Sequence, residues 1–265
     1  MLFQNKLTLT EITWEALSEY NVIDIAEHTL KQKFENYALK RNSYVNRVFE
    51  LKIQDTEDFL IVKFYRPNRW SKEAILAEHQ FLQVLSEHEI PVIAPLSFNG
   101  QTLFEQNGLL FTFFPKKGGR ALDEFDKNLW LQVGRLLGRV HLISKTLEVK
   151  NRIIWRPEIA TKLHLETIKN AHCILPDFEK AFFDTAQKFI EKAIPLFSNT
   201  EAILLHGDCH RGNMIFRPSE GLFLIDFDDI SIGPTVQDMW MLLPDSPENC
   251  ETEIEWFVTG DRKST

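Results

Sequence analysis

The chain has 265 residues, enough for one large or two modest domains, each with its own apolar core. Apolar residues make up 44% and charged residues 26%, the balance of an ordinary globular protein, and the net charge of −8 argues against a polyanion-binding surface spread over the whole molecule. Three cysteines, Cys173, Cys209 and Cys250, are an odd count with no paired spacing, which argues against a disulfide framework or a Cys-rich zinc site and fits a reducing compartment. The stretch MLFQNKLTLTEITWEAL lacks a basic region followed by an unbroken apolar one, so no secretory leader is expected. The longest apolar runs, FLIVKFY and GLLFTFFP, are too short to span a bilayer. The expectation is a cytoplasmic protein that binds neither membrane nor nucleic acid, with its 21 phenylalanines mainly filling the core.

Residues 13–34 alternate apolar and polar at helical spacing without Pro or Gly, which predicts a first helix. The basic run KQKFENYALKR, interleaved with Glu and aromatics, is expected to be a solvated helix face or loop. VNRVFELKI and DFLIVKFY predict two strands joined through QDTED. Ser71 followed by Ala74, Ile75, Phe81, Leu82 and Leu85 predicts a capped amphipathic helix closed before Pro91 and Pro95. PLSFNG and LLFTFFP predict another hairpin, turning at Asn99-Gly100. Lys116, Lys117, Gly118 and Gly119 form the best linker in the chain. They divide it into residues 1–115, a small mainly β lobe, and residues 116–265, a larger helical lobe. Helices are expected in DKNLWLQVGRLLGRVHLIS, RPEIATKLHLETIKN, DFEKAFFDTAQKFIEKAI and PTVQDMWMLLP, a short strand in AILLH, and a tight hairpin in MIFRPSEGLFLIDFDD turning at Pro218 to Gly221.

LLHGDCHRGNMIF, residues 204–216, holds the densest set of reactive side chains. His206 and His210 are four apart, as on a zinc-binding helix, yet Gly207 and Gly212 argue against a helix and no acid lies between the histidines. Cys209 as a nucleophile needs a His approaching from elsewhere in the fold, since adjacent residues of an extended loop point apart. A structural turn would explain any single one of these residues, but not the whole ordered set. Phosphoryl transfer explains the set. In kinase catalytic loops an Asp takes the acceptor proton and an Asn five residues on binds magnesium, as Asp208 and Asn213 are spaced here. A second Asp, one strand later, must hold the metal, and Asp226 lies eighteen residues on at the end of LFLID. Magnesium takes oxygen ligands and keeps several waters, so an Asn and one or two carboxylates suffice.

The same chemistry needs a strand lysine for the phosphates of ATP and a helical glutamate to orient it. LIVKFYRP supplies Lys63 and AILAEHQFL supplies Glu78, with Glu73 as the fallback on the same helix. No G-x-G-x-x-G precedes Lys63; Asn42 and Ser43 in LKRNSYVNRVFEL occupy the place of the phosphate-covering loop, with a turn satisfied by its own side chains as the competing explanation.

HGDCHRGN followed by LIDFDD resembles the Brenner-type motif of the aminoglycoside phosphotransferase/choline kinase superfamily. NSYVNRVFEL, VKFYRPNRW, EHQFL, IPVIAPL and GPTVQDMWMLL narrow the resemblance to its bacterial stress-response Ser/Thr protein kinases, over most of the chain from the first helix to Leu243. The resemblance implies an α+β, bilobal, protein-kinase-like fold using ATP and magnesium. Asp208 is then the catalytic base, Asn213 a metal ligand, and Asp226 a metal ligand and active-site residue; Ser43, Lys63 and Glu78 serve the nucleotide. Asp228 stands where a D-F-G motif has its glycine, and Asp228 and Asp229 are expected to serve the loop. Asp238 and Trp240 are expected to pack, and His206 to support the loop backbone. The implied partner of a monomeric enzyme is a protein with a Ser/Thr acceptor; a small-molecule alcohol is the alternative, and a non-catalytic binding module the other class. The family pattern continues with further helices beyond FVTGDRKST, so the second lobe is expected to be incomplete.

Overall fold

The computed structural model describes residues 12–122 and 124–262. The chain separates into two compact units, one taking in residues up to Arg120 together with Ile215–Ile225, the other Ala121–Met214 and Asp226–Thr265.

The first unit opens on α1 (Glu19–Leu30). This helix is shorter than the predicted 13–34, because Ser18 caps it by accepting the Asn21 N–H and Lys31 ends it in the left-handed region at φ 54°. Next comes β1 (Phe34–Arg41), where a helix face or loop was expected. It is a sheet-edge strand in which only Phe34 is buried, and its charged residues face water, as an edge requires. It pairs with β2 (Arg47–Ile53), β2 with β3 (Phe59–Phe64), and β3 with β5 (Leu109–Pro115), whose other neighbour is β4 (Phe104–Gln106); every pairing is antiparallel. The hairpin partner of LLFTFFP is therefore β4, through Asn107-Gly108 with φ of 53° and 76°. The predicted turn at Asn99-Gly100 also forms, but it closes only a single bridge between Phe98 and Gln101.

Register decides what each face of this sheet carries, because directly paired residues share a face. Phe49 pairs with Val62, Leu51 with Leu60, Phe64 with Phe111 and Val62 with Phe113. These residues join Val22, Ile25 and Ala26 of α1 in one buried apolar cluster. Phe64 stacks on Phe111 at 5.0 Å and Phe111 meets Phe113 edge-on at 5.8 Å, so the phenylalanine-rich composition serves the core here. The opposite face carries Val48, Glu50, Ile61, Lys63, Thr112 and Phe114. The predicted amphipathic helix is α2 (Lys72–Glu87), capped by Ser71 accepting the Ala74 N–H.

The linker stretch is tied down rather than loose. β6 (Arg120–Ala121) follows it, Lys116 Nζ lies 2.7 Å from Glu50 Oε1, Lys117 pairs with Glu220 at 3.3 Å, and the Gly118 carbonyl accepts from Arg217.

In the second unit α3 (Lys127–Ser144) begins at the Asp126 cap, which accepts the Leu129 N–H at 2.8 Å. A single π turn over Pro157–Thr161 leads into α4 (Lys162–Asn170), followed by α5 (Pro176–Phe197) and β7 (Ile203–Leu205). The predicted tight hairpin is β8 (Met214–Arg217) and β9 (Gly221–Leu224), and the segment 215–225 counts with the first unit, where the Leu224 N–H donates to Pro91 at 3.0 Å. β10 (Ser231–Gly233) pairs antiparallel with β7. PTVQDMWMLLP yields only the one-turn α6 (Gln237–Trp240), shorter than predicted. The segment ending FVTGDR is helical, as α7 (Glu251–Arg262).

Helices α3 and α7 meet through glycines. A Cβ on Gly134 would lie 2.0 Å from the Phe257 carbonyl oxygen, and one on Gly260 would lie 2.3 Å from that of Leu131. The backbones touch where side chains would normally intervene. Gly134→Ala is expected to push the helices apart and cost about 2–4 kcal/mol, more than the gain in helix propensity near 1 kcal/mol, as read by urea denaturation. Among the described residues no helix is long and apolar enough to cross a membrane.

Candidate active site

The loop after β7 is shaped by what its backbone must satisfy. Gly207 has φ +84°, and a Cβ there would lie 2.0 Å from the Asp229 carbonyl oxygen, so only glycine lets the two loops approach. The Asp208 N–H donates to His206 Nδ1 at 3.3 Å. His206 is fully buried and its ring lies 4.4 Å from that of Phe227. His210 Nδ1 accepts the Gly212 N–H at 3.0 Å and opens the short 3₁₀ turn Arg211–Asn213. Both histidines are thus engaged in holding the loop, the supporting role expected of His206.

That turn brings Asn213 back onto Asp208. Its Nδ2 donates to the Asp208 carbonyl at 2.9 Å and to Asp208 Oδ2 at 3.2 Å. Asn213 is 7% exposed, whereas the Asp208 side chain is 37% exposed, with His210 Nε2 3.6 Å from Oδ2. The five-residue spacing therefore closes a ring of contacts that holds one Asp oxygen and leaves the carboxylate open to solvent.

Asp226 follows β9 in the left-handed region at φ +63°. Asp tolerates this conformation better than most residues, and such a backbone at a loop carboxylate marks a place where position outweighs comfort. Asp226 is exposed while Phe227 is buried beneath it on His206. Asp228 is buried, and its carbonyl accepts from Arg152 Nη1 at 2.6 Å. The backbone carbonyls of both residues meet their neighbours in the loop, that of Asp228 by the bond from Arg152 and that of Asp229 at Gly207.

Cys209 is fully buried, and burial first, then the charges of Asp238 and Asp208, push its thiol well above the ordinary range. A thiol so protonated is a packing group, not a nucleophile.

Asp238 is where sequence reasoning fell short. Expected to pack, it is a fully buried carboxylate whose Oδ2 accepts the His206 N–H at 3.0 Å and whose Oδ1 accepts the Gly207 N–H at 2.9 Å, with His141 Nε2 3.1 Å from Oδ2. Burial alone would raise its pKa; the hydrogen bond and charge of His141, the charge of His206 and the Gly207 N–H outweigh it, so the net direction is down. Trp240, by contrast, is 53% exposed and does not pack as expected. The side chain of a four-residue helix is not buried by its neighbours on every face.

In the first unit the expected strand lysine meets the expected glutamate. Lys63 Nζ lies 3.5 Å from Glu78 Oε1, with Lys63 8% and Glu78 1% exposed. The Tyr65 hydroxyl lies 3.5 Å from the same Glu78 oxygen and 2.9 Å from His79 Nε2, and His79 Nδ1 lies 2.8 Å from the Thr102 hydroxyl. The fallback Glu73 sits instead in the exposed first turn of α2, its carboxyl lowered by hydrogen bonds from its own backbone N–H and from Ser71. Asn42 and Ser43 lie in the exposed turn between β1 and β2. The buried member of that turn is Asn46, which accepts the Arg66 N–H at 3.1 Å.

The donor set of the loops fits a hard cation. With the Asn213 nitrogen committed to Asp208, its amide oxygen is the atom that remains to coordinate, and Asp226 presents a carboxylate to solvent. Both are oxygen donors, the atom type that magnesium takes.

The family model described as "phosphotransferase enzyme family" matches residues 40–259. The chain belongs to the phosphotransferase enzyme family. It is 37% identical over 222 residues to stress response kinase A of Escherichia coli (strain K12), covering 82% of this chain and 66% of that protein. It is equally identical, over 223 residues and the same shares, to the serine/threonine protein kinase RdoA of Salmonella typhimurium. The chain thus spans just under two thirds of the length of these curated relatives. Among solved structures, an amicoumacin kinase in complex with AMP-PNP, Ca2+ and amicoumacin superposes with a TM-score of 0.76 at 23% identity, covering 94% of this chain and 78% of that one. The fold is that of the family's kinases: an antiparallel-sheet unit and a helical unit.

Proposed function

We propose that this chain is an ATP- and magnesium-dependent kinase that phosphorylates serine or threonine hydroxyls of a protein substrate in the cytoplasm, as part of a stress response. The observation that carries the reading is the closure of Asn213 onto Asp208, which orients one oxygen of Asp208 and leaves its carboxylate exposed. Asp208 takes the acceptor hydroxyl as a hydrogen-bond donor, aligns its oxygen and receives its proton as the γ-phosphoryl group leaves ATP for that oxygen. Asn213 and Asp226 are the residues that would hold magnesium, and bound magnesium would supply charge neutralisation at the phosphates. Lys63, oriented by Glu78, contributes a fixed positive charge for the nucleotide. Ser43 is assigned to the phosphate-covering turn by its place between β1 and β2. Most of the rate gain in such a site comes from positioning and preorganised charge.

The names of the 37%-identical relatives support the protein acceptor. The amicoumacin kinase, alike in fold, favours the second reading, a small-molecule alcohol as acceptor. Labelled ATP with magnesium, offered in parallel to a generic Ser/Thr-rich protein and to a panel of amino alcohols and aminoglycosides, separates them. Label in the protein at serine or threonine is the expected result. Label only in a small alcohol would replace the protein acceptor with the second reading, and label in neither would leave a binding module.

A further inference from the structure

Glu50 lies in β2 with 2% of its surface exposed, and the phosphoryl-transfer scheme gives it no task. Two cations attend it. Lys116 Nζ donates to Oε1 at 2.7 Å and sits 4.1 Å from the centre of the Phe59 ring. Arg41 Nη1 stays 3.7 Å from Oε2, too far for a hydrogen bond, and the Arg41 side chain is 52% exposed. It offsets charge without supplying a donor. Among the described residues, none donates a hydrogen bond to the buried Oε2. A buried carboxylate oxygen in that state is costly, and an apolar side chain would fill the same strand position without the cost. The donor it lacks can come from a ligand.

Register points to which ligand. Glu50 is on the face of the sheet that carries Lys63, two residues along β2 from Val48, the direct partner of Lys63. That is a step of about 6.6 Å along the strand. Ile61 pairs with Glu50 on one side and with Phe114 on the other, and Val48, Ile61 and Phe114 are only partly buried. These three form an apolar patch, reaching from Lys63 to Glu50, that a flat ring can cover. We propose that Glu50 reads the nucleoside of ATP: with the phosphates at Lys63, Oε2 accepts a hydrogen bond from the base amino group or from a ribose hydroxyl. The proposal rests on the nucleotide role given to Lys63 in the kinase reading. A carboxylate accepts and does not donate, so it favours a nucleoside that offers N–H or O–H there and disfavours one that offers a lone pair. Lys116 decides which oxygen is left over, because its hold on Oε1 leaves Oε2 for the ligand.

The test measures equilibrium binding by titration calorimetry, with magnesium and no acceptor, on the full chain. Four nucleotides are compared: ATP, purine riboside triphosphate, which lacks the amino group, 2′-deoxy-ATP and 3′-deoxy-ATP. On the parent, one of the three analogues is expected to bind about 10- to 100-fold more weakly than ATP, the scale of losing a hydrogen bond to a charged group. Which analogue suffers tells amino group from hydroxyl. In Glu50→Gln, Lys116 holds the amide oxygen and an N–H stands in the place of Oε2. ATP is expected to bind more weakly by a similar factor, and the penalty on that analogue to shrink to about twofold or less, because the interaction it lacks is already gone. Glu50→Leu, which keeps an apolar side chain in the strand, is expected to lose the penalty as well, and decides should the Gln variant fail to fold. Four equal affinities on the parent would overturn the proposal, and so would a penalty that persists undiminished in the variants. A parent that binds ATP but transfers no phosphate overturns the kinase reading, while these affinities still judge Glu50. A parent that binds no nucleotide overturns both.

Discussion

Lys63→Met is expected to remove phosphate transfer and to destabilise the protein by about 3–5 kcal/mol, the cost of leaving a buried charge without its partner. Glu78 is 1% exposed and Lys63 Nζ stands 3.5 Å from it. The Tyr65 hydroxyl, 3.5 Å from the same Glu78 oxygen, is a neutral donor and cannot replace the ammonium. The pair itself adds little over a well-packed apolar pair, because its attraction mostly offsets two desolvations. The double variant Lys63→Met/Glu78→Leu is therefore expected to recover most of the lost stability in urea denaturation. It is not expected to recover transfer, since the phosphates still lack their cation. Stability and activity thus part company in the double variant. A single variant as stable as the parent would show that Glu78 is well satisfied without Lys63.

Gly207→Ala carries the second large effect. Gly221 provides an internal control, because both glycines have positive φ, +84° and +90°. A Cβ on Gly221 meets nothing within 4 Å, whereas one on Gly207 would sit 2.0 Å from the Asp229 carbonyl oxygen and 2.9 Å from Ser231 Oγ. Gly221→Ala is expected to cost about 1 kcal/mol, the backbone term alone. Gly207→Ala must also separate two packed loops, and is expected to cost about 3 kcal/mol or more and to abolish transfer by displacing Asp208. Denaturation of both variants side by side checks it. Equal costs would mean that the contact between the two loops is loose.

Local chemistry made much of the candidate site legible. Asp208 and Asn213 are five residues apart because the 3₁₀ turn between them needs that length, and Lys63 precedes Glu78 by one strand end, one loop and two helical turns. The capped helix α2 was legible for the same reason: Ser71 announces it with a side chain that satisfies one of the first free N–H groups. What escaped was decided by distant partners. β1 is polar because it is a sheet edge, and a polar strand with little alternation looks like a solvated helix until its neighbour is known. Asn107-Gly108 and Asn99-Gly100 are equally good turns, and only the pairing of β4 with β5 chooses between them. His141 and Asp238 are joined over 97 residues with no motif to link them. A lone buried acid in an apolar stretch suits packing as well as it suits a loop anchor until the two amides it accepts are seen.

Asp208→Asn tests the central claim most directly. The substitution keeps the side-chain shape and an oxygen that accepts from Asn213, but removes the group that takes the proton. Parent and variant are incubated with γ-labelled ATP, magnesium and a protein acceptor, with nucleotide affinity followed in parallel. The parent is expected to transfer label and the variant to be slower by about 10²–10⁴-fold, the usual contribution of a positioned base, with ATP affinity retained. No transfer by the parent, or equal transfer by both, would contradict the account.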